Sequence, residues 1–142
     1  MKRQFGALLG TLALAATALV GSATPAAAAD NFTFLVGRSV PGVTAITVFN
    51  ETEQEEAGSG QWWRDPAHGA TGDTLAVYDD LADGYGLEAH LSTGRLASTR
   101  GQNSPSYDIV TGDLPEDRQY EMWVCVVKGT WSKCSPKVAV WS

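Results

Sequence analysis

A β-forming run near the C-terminal end, followed by a tight turn and the second of only two cysteines, constrains the fold most. The run from Tyr120 to Val127 is rich in aromatic and β-branched residues, which favour strands. Both of its alternating residue sets are apolar, and a strand that is covered on both faces is typical of the interior of a sheet. We therefore predict a central strand here.

The turn after this strand fixes its pairing. Gly129 and Thr130 fit a two-residue type II′ turn, in which the first residue needs a positive φ that glycine supplies. Counting outward from the turn places Cys125 opposite Cys134 at a non-hydrogen-bonded pair, where Cα atoms are about 4.5 Å apart. That separation lies just inside the range that a disulfide tolerates. We predict a structural Cys125–Cys134 hairpin disulfide, because a redox-active pair usually needs a Cys-X-X-Cys setting.

Which face of this strand is buried depends on Pro136. If alternate residues from Tyr120 to Val126 point inward, an unbroken register would turn Val138 and Val140 outward, which does not suit a core. Either Pro136 breaks the ladder and reverses the alternation, or the disulfide face is the core. We favour the break at Pro136.

The approach to the strand carries a resemblance to a known family. Leu114-Pro115, four intervening residues and Tyr120 resemble the tyrosine corner of fibronectin-type-III and immunoglobulin-like sandwiches. Cys125 lies five residues after Tyr120, whereas immunoglobulin domains place a cysteine two residues after this tyrosine. The resemblance therefore implies the fibronectin-type spacing and no disulfide between sheets.

The N-terminal residues 1–29 are typical of a secretory signal peptide. Lys2 and Arg3 precede a short apolar segment that ends in Ala27-Ala28-Ala29. We predict a secreted protein of residues 30–142, and an oxidising compartment suits the disulfide. Removing Lys2 and Arg3 from the 10 basic residues leaves 8 against 16 acidic ones, a balance that argues against nucleic acid and membrane surfaces as partners.

The remainder of the chain has short β-forming runs separated by turn signals, without a sustained helical period. We predict strands at 32–36, 43–49, 61–64, 74–78, 85–92, 96–99, 107–110 and 138–141, and a mobile acidic hairpin loop over 51–60. The fold class is therefore all-β, with an immunoglobulin-like or fibronectin-III-like antiparallel β-sandwich as one domain over 30–142. We expect a monomer.

Two further segments strengthen the family resemblance. Asp83-Gly84-Tyr85-Gly86 after a strand and Leu114-Pro115-Glu116-Asp117 before the cysteine hairpin, together with the alanine-rich leader, resemble small secreted actinomycete proteins of unknown function. This resemblance implies a fold and a compartment. It does not imply a chemistry.

Two sets of residues could suggest chemistry. Glu88, His90 and Ser92 share one strand face, but residues two apart on a strand lie about 6.5–7 Å apart, and no Gly-X-Ser-X-Gly elbow is present. A catalytic triad needs tighter geometry, so we predict a solvated face and no enzyme.

The second set is acidic. Asp79, Asp80 and Asp83 beside Gly84 could hold calcium, but their spacing is not that of an EF-hand loop and acidic residues are common in turns. The two histidines are far apart in sequence and give no zinc pattern. We expect no metal and no cofactor.

The aromatic residues suggest binding. Adjacent Trp62 and Trp63 must point to opposite faces of a strand, so one is expected in the core and the other at the surface. With Arg64, Tyr85 and Trp131 they form our predicted contact surface, because exposed aromatic side chains stack on sugars or anchor protein interfaces. We predict a non-catalytic extracellular binding module for a carbohydrate or protein.

An alternative function rests on Trp62-Trp63-Arg64. This tripeptide resembles the aromatic–arginine element of secreted actinomycete amylase inhibitors, although those proteins are shorter and have two disulfides. The resemblance implies an inhibitor of a secreted hydrolase, such as an amylase or protease.

Overall fold

The computed structural model describes residues 30–66 and 71–142. These residues form ten strands: β1 (Phe32–Val40), β2 (Val43–Asn50), β3 (Glu55–Trp63), β4 (Thr74–Asp79), β5 (Gly86–Leu91), β6 (Leu96–Ser98), β7 (Ser106–Val110), β8 (Gln119–Lys128), β9 (Trp131–Cys134) and β10 (Val138–Trp141). The described part of the chain contains no helix that is long and apolar enough to cross a membrane. The predicted signal peptide, residues 1–29, lies outside the described residues.

The strands form two antiparallel sheets, as the all-β prediction requires. The first sheet has the order β1-β2-β3-β4-β7. The second has the order β6-β5-β8, and β9 and β10 follow one another along the far edge of β8. Since β8 is paired along both edges, the prediction of a central strand is confirmed.

The core lies between the two sheets and receives apolar side chains from both. The largest fully buried side chains of the first sheet are Phe32, Ile46, Val48, Trp62, Leu75 and Val77. The second sheet contributes Leu87, Leu91, Met122, Val124 and Val126. Each sheet alone would expose its apolar face to water, so burial of the two faces against one another is the main contribution to stability.

The β8–β9 hairpin has the predicted register. Cys125 pairs with Cys134 and forms a disulfide, with the two Cα atoms 4.0 Å apart. Gly129 has a φ of 56°, as the first residue of the predicted turn requires. The predicted disulfide is confirmed.

The register of β8 with its edge partners changes near Pro136. Cys125 pairs with Cys134, and Met122 pairs with Val138. The two positions are three residues apart on β8 but four residues apart on the edge side, so the edge side has one extra residue. At this bulge Ser135 maintains the pairing, because its N–H donates to the Val124 carbonyl and its hydroxyl accepts from the Val124 N–H.

The extra residue reverses the alternation. Val140 is buried and Val138 packs against the core on the same face as Met122. The predicted break at Pro136 is confirmed, and the alternative in which the disulfide face is the core is wrong.

The segment that precedes β8 packs against the core. Leu114 and Tyr120 both contact the core cluster, and the Pro115 carbonyl accepts a hydrogen bond of 2.5 Å from the Ser142 hydroxyl. The hydrogen bond from the Tyr120 hydroxyl to the backbone stays a prediction.

The predicted acidic loop over 51–60 is wrong in its second half. Only residues 51–54 form the turn, and β3 already begins at Glu55. Gly60 is part of β3, and this position needs glycine because the second sheet passes close to it. A Cβ on Gly60 would lie 2.3 Å from Val124 Cγ2. A glycine that usually indicates a loop is here a packing requirement.

Candidate functional site

The two outer faces of the sandwich differ in charge. In the first sheet Ile46, Trp62 and Leu75 point into the core, so alternate residues on the same strands point outward. Two neighbouring cross-strand rows among these outward residues are Leu35–Thr47–Ser59–Tyr78–Tyr107 and Gly37–Ala45–Gln61–Ala76–Ile109. We call these ten residues the neutral face, because none of them carries a charge.

The neutral face combines exposed apolar side chains at its edges with hydrogen-bonding groups at its centre. Tyr107 is 65 % exposed, Leu35 is 62 % exposed and Ile109 is 45 % exposed. Tyr107 stacks on Tyr78, with ring centroids 6.1 Å apart. Between the edges, Gln61 Nε2 donates to Ser59 Oγ over 3.2 Å. Four gaps between strands give a width of about 19 Å.

The outer face of the second sheet is charged and internally paired. Glu88 accepts a hydrogen bond of 2.8 Å from Arg100 Nε, and His90 stacks on Trp123 with ring centroids 5.1 Å apart. Lys137 Nζ lies 4.8 Å from the centroid of the Trp123 ring. Burial by itself would raise the pKa of Glu88. The hydrogen bond and charge of Arg100, together with the charge of His90, have the larger effect, so the pKa of Glu88 is lower than its usual value.

Glu88 and His90 share one face of β5, whereas Ser92 follows the end of that strand, and the three do not form a catalytic arrangement. The predicted solvated face is wrong for Glu88, which is buried. His90 Nε2 lies 3.4 Å from Glu88 Oε2. The Ser92 hydroxyl instead accepts a hydrogen bond of 3.1 Å from the Glu121 N–H. This geometry has no base beside a nucleophile.

The tryptophan pair divides between two faces, as the alternation predicts. Trp62 is buried in the core, and its Nε1 donates to the Trp141 carbonyl over 2.8 Å. Trp63 is half-buried and points outward beside the neutral face, where it pairs with Val43 and Thr74. Trp63 is therefore the member of the pair that borders a surface.

Tyr85 does not have the predicted exposure. It is buried against Phe32 and Trp131, with ring centroids 4.9 Å and 5.6 Å away, and its hydroxyl accepts from the Asp30 N–H over 3.1 Å. The turn position did not expose Tyr85 because the N-terminal strand β1 covers it. Trp131 is half-buried in the same cluster.

The five predicted contact residues do not form one surface. Tyr85 and Trp131 pack against Phe32, which pairs with Asn50 at the end of β2. Trp63 instead pairs with Val43 at the start of β2. These positions are seven residues apart on β2, which is about 23 Å.

A cleft beside Arg64 adds a residue that the sequence did not single out. The cleft has a volume of about 470 Å³ and lies between the β1–β2 turn and β10. Among the described residues that line the cleft, Arg64 is the one with a charge, and Trp141 at its rim is 48 % exposed. Sequence reasoning placed Trp141 only in the last strand, and its exposure follows from the edge position of β10.

The acidic turn considered for calcium uses its oxygens within the protein. Asp79 is buried and accepts hydrogen bonds from the hydroxyls of Ser104, at 2.8 Å, and Thr99, at 3.3 Å. Burial raises the pKa of Asp79 to about 6, and the charges of Asp83 and Asp80 add to this rise.

A different set of acidic residues comes together at the other end of the sandwich. In the described part of the chain, carboxylate oxygens of Asp73, Asp113 and Glu116 lie within 4.8 Å of one another.

Comparison with known proteins assigns no relatives. The sequence matches no protein-family model, and no curated protein matches it at a significant level. The resemblances to secreted actinomycete proteins and to amylase inhibitors therefore stay predictions, and the function is argued from geometry.

Proposed function

We propose that this chain is a secreted, non-catalytic binding module with an immunoglobulin-like or fibronectin-III-like sandwich, and that it binds an uncharged carbohydrate on the neutral face. The observation that carries the proposal is the ten-residue face without charge in a chain whose formal net charge is −6. Exposed apolar side chains on a sheet face, here Leu35, Tyr107 and Ile109, are a common feature of ligand and partner sites.

The strand order supports the fold. The order β3-β4-β7 in one sheet and β6-β5-β8 with β9 and β10 in the other corresponds to A-B-E and C′-C-F-G of these sandwiches. The β1–β2 hairpin then extends the A edge of the first sheet. Strand F would be β8, where the family places the tyrosine of the corner, and Tyr120 lies at the start of β8.

The leader and the disulfide support secretion. Residues 1–29 have the order of basic, apolar and small residues that export signals share. The Cys125–Cys134 disulfide fits an oxidising compartment.

The side chains of the neutral face suit sugar rings. The stacked Tyr78 and Tyr107 offer an aromatic surface to the C–H groups of a sugar, whereas the partly exposed Thr47 and Gln61 offer hydroxyl and amide groups to its hydroxyls. Since the face has no cation, it favours neutral polymers over uronates or sulfated chains.

The test is binding of the purified protein to neutral polysaccharides, such as cellulose, chitin and starch, in pull-down and titration experiments. We expect Tyr107→Ala to weaken binding by about two- to tenfold, because stacking of an aromatic ring contributes about 0.5–1.5 kcal/mol. Leu96→Ala is the matched control, because Leu96 is also exposed but lies on the second sheet. Absence of binding to every neutral polysaccharide, or equal binding by wild type and Tyr107→Ala, would contradict the proposal.

One observation favours the inhibitor alternative. Val36 is 53 % exposed although it has the inward alternation of Phe32 and Phe34, so the second sheet does not cover this part of β1. With Val40 and Pro41 it adds exposed apolar side chains to the tip of the β1–β2 hairpin beside the Arg64 cleft. Such a tip could occupy the substrate groove of a hydrolase.

Titration against a panel of secreted amylases and proteases tests this alternative. Stoichiometric inhibition that Val40→Asp removes and Tyr107→Ala preserves would favour the inhibitor over the carbohydrate module. Enzyme activities that stay unchanged at excess protein would exclude the panel members as targets.

A further inference from the structure

The acidic cluster of Asp73, Asp113 and Glu116 lies where two loops meet at one end of the sandwich. Asp73 precedes β4, and the other two residues lie between β7 and β8. All three line a cleft of about 370 Å³. The ion pairs of the described residues involve other side chains, so none of the described basic residues is paired with these three carboxylates.

Asp73 carries an observation beyond the acidic clustering. Its side chain is 95 % buried, since the residue is 5 % exposed, and one carboxylate oxygen accepts from the Leu114 N–H over 2.8 Å. The other oxygen, Oδ1, is buried and has no hydrogen-bond partner. A buried carboxylate oxygen without a partner costs free energy, so a partner from solution is expected.

Arg95 also joins the two loops, through their backbone. Arg95 donates to the backbone carbonyl of Asp73 and, over 3.1 Å, to that of Gly112. Its guanidinium thus joins the same two loops through carbonyl oxygens and leaves the carboxylates unpaired. Arg64 lines the cleft as well, but it lies 3.9 Å from Asp65.

We propose that Asp73, Asp113 and Glu116 bind a calcium ion. Calcium takes six to eight oxygen ligands at about 2.3–2.6 Å, so oxygens on opposite sides of the ion are about 4.6–5.2 Å apart. The cluster, with its oxygens within 4.8 Å of one another, fits that span. The two exposed carboxylates leave room for water to complete the coordination. This site differs from the sequence expectation of no metal, and from the Asp79, Asp80 and Asp83 turn considered for calcium.

The ion would replace the missing partner of Asp73 Oδ1 and connect the β3–β4 and β7–β8 loops. Its role is therefore structural, and it does not depend on the function proposed for the neutral face.

Calorimetric titration of the EDTA-treated protein with CaCl₂ tests the site. We expect one ion per chain with a Kd of about 10⁻⁴–10⁻³ M, the range of extracellular modules. The Tm should rise by about 5 °C at about 5 mM CaCl₂. The absence of both heat and a Tm shift up to about 10 mM CaCl₂ would overturn the proposal, since a weaker site lies outside that range.

Two double variants distinguish a specific calcium site from general attraction of calcium to the acidic surface. Asp113→Asn/Glu116→Gln removes two exposed ligands, and we expect it to weaken calcium binding at least about tenfold without changing the Tm in EDTA. Glu53→Gln/Glu55→Gln removes the same charge from the exposed turn before β3 and should bind calcium like the wild type. Equal loss in both variants would overturn the proposal.

Asp73→Asn tests the buried ligand. Its amide oxygen can still accept from the Leu114 N–H, but the unpartnered carboxylate oxygen is gone. Calcium binding should be lost, and calcium binding at wild-type strength would show that Asp73 is not a ligand.

Discussion

Gly60 and Val124 face each other across the interior, where a Cβ on Gly60 would lie 2.3 Å from Val124 Cγ2. The same Cβ would lie 3.2 Å from the Cβ of Ala89 and 3.3 Å from the Cε of Met122. Both sheets therefore approach each other more closely here than any side chain on Gly60 would allow. This contact explains why β3 contains a glycine at a buried position.

Gly60→Ala is expected to lower the free energy of unfolding by about 1–3 kcal/mol, because overpacking forces a shift of the opposing strand. Gly37→Ala on β1 is the matched control, since no atom lies within 4 Å of a Cβ built there. Urea unfolding measures both. In a Val124→Ala background Gly60→Ala should cost less, and strict additivity of the two changes would contradict the contact.

Asp79 is expected to make the protein less stable as the pH rises. Its pKa in the folded state is raised from 3.8 to about 6, so the folded protein binds the proton more strongly than the unfolded chain does. The free energy of unfolding contributed by this group is therefore highest below about pH 4, falls as the pH rises to about 6 and is constant above it.

Asp79→Asn should remove this dependence and stabilise the protein at pH 7.5 by at most about 3 kcal/mol. The asparagine can accept a hydrogen bond from one of the Ser104 and Thr99 hydroxyls and donate its amide N–H to the other, whereas Asp79 accepts from both. Unfolding at pH 4 and 7.5 measures the difference from wild type, with Glu53→Gln as the exposed control. If Asp79→Asn lowers the free energy of unfolding equally at both pH values, ionisation of Asp79 does not reduce the stability of the folded protein.

Glu88 is expected to have the opposite pH dependence. Its folded pKa is lowered from 4.5, chiefly because Arg100 outweighs the effect of burial, so its contribution to stability is present above pH 4.5 and is lost on acidification through the folded pKa. Arg100→Met should cost about 1 kcal/mol at pH 7, a reduced value because the Arg100 side chain is 44 % exposed.

That loss should become smaller at pH 3, where Glu88 is protonated in the variant. Denaturant titrations of wild type and Arg100→Met at both pH values give the comparison. An unchanged difference would assign the effect to the other hydrogen bond of Arg100, which goes to the Gly129 carbonyl and does not titrate.

The parts of the fold that the sequence predicted are local. The Gly129 turn, the Cys125–Cys134 pairing and the break at Pro136 all lie within twelve residues of one another, so alternation and turn chemistry sufficed. The strand over 55–60 was missed because the reason for Gly60 is Val124, which lies in a different sheet and far along the chain.

The candidate sites depend on contacts that no local pattern contains. The neutral face requires the register of five strands, and Tyr107 and Ile109 are prominent only once β7 is known to be an edge strand. Tyr85 was predicted to be exposed because a turn position alone does not indicate Phe32, which covers it. Asp73 and Asp113 are 40 residues apart in sequence, and a spacing argument could not join them.

The Cys125–Cys134 disulfide is expected to add stability without determining the fold. It closes a short loop with a sequence separation of 9, for which the loss of unfolded-state entropy gives about 2–3 kcal/mol. Neighbouring pairs such as Val126 with Lys133 and the Gly129 turn hold the same register without it.

Cys125→Ser/Cys134→Ser should therefore keep the β-sheet circular dichroism spectrum and lose about 2–3 kcal/mol of unfolding free energy. Reduction of the wild type should give the same loss, which separates the effect of the bond from that of the serines. Loss of the folded spectrum at 25 °C would mean that the disulfide sets the pairing of β8 with β9. No loss at all would mean that the unfolded chain already holds these residues together.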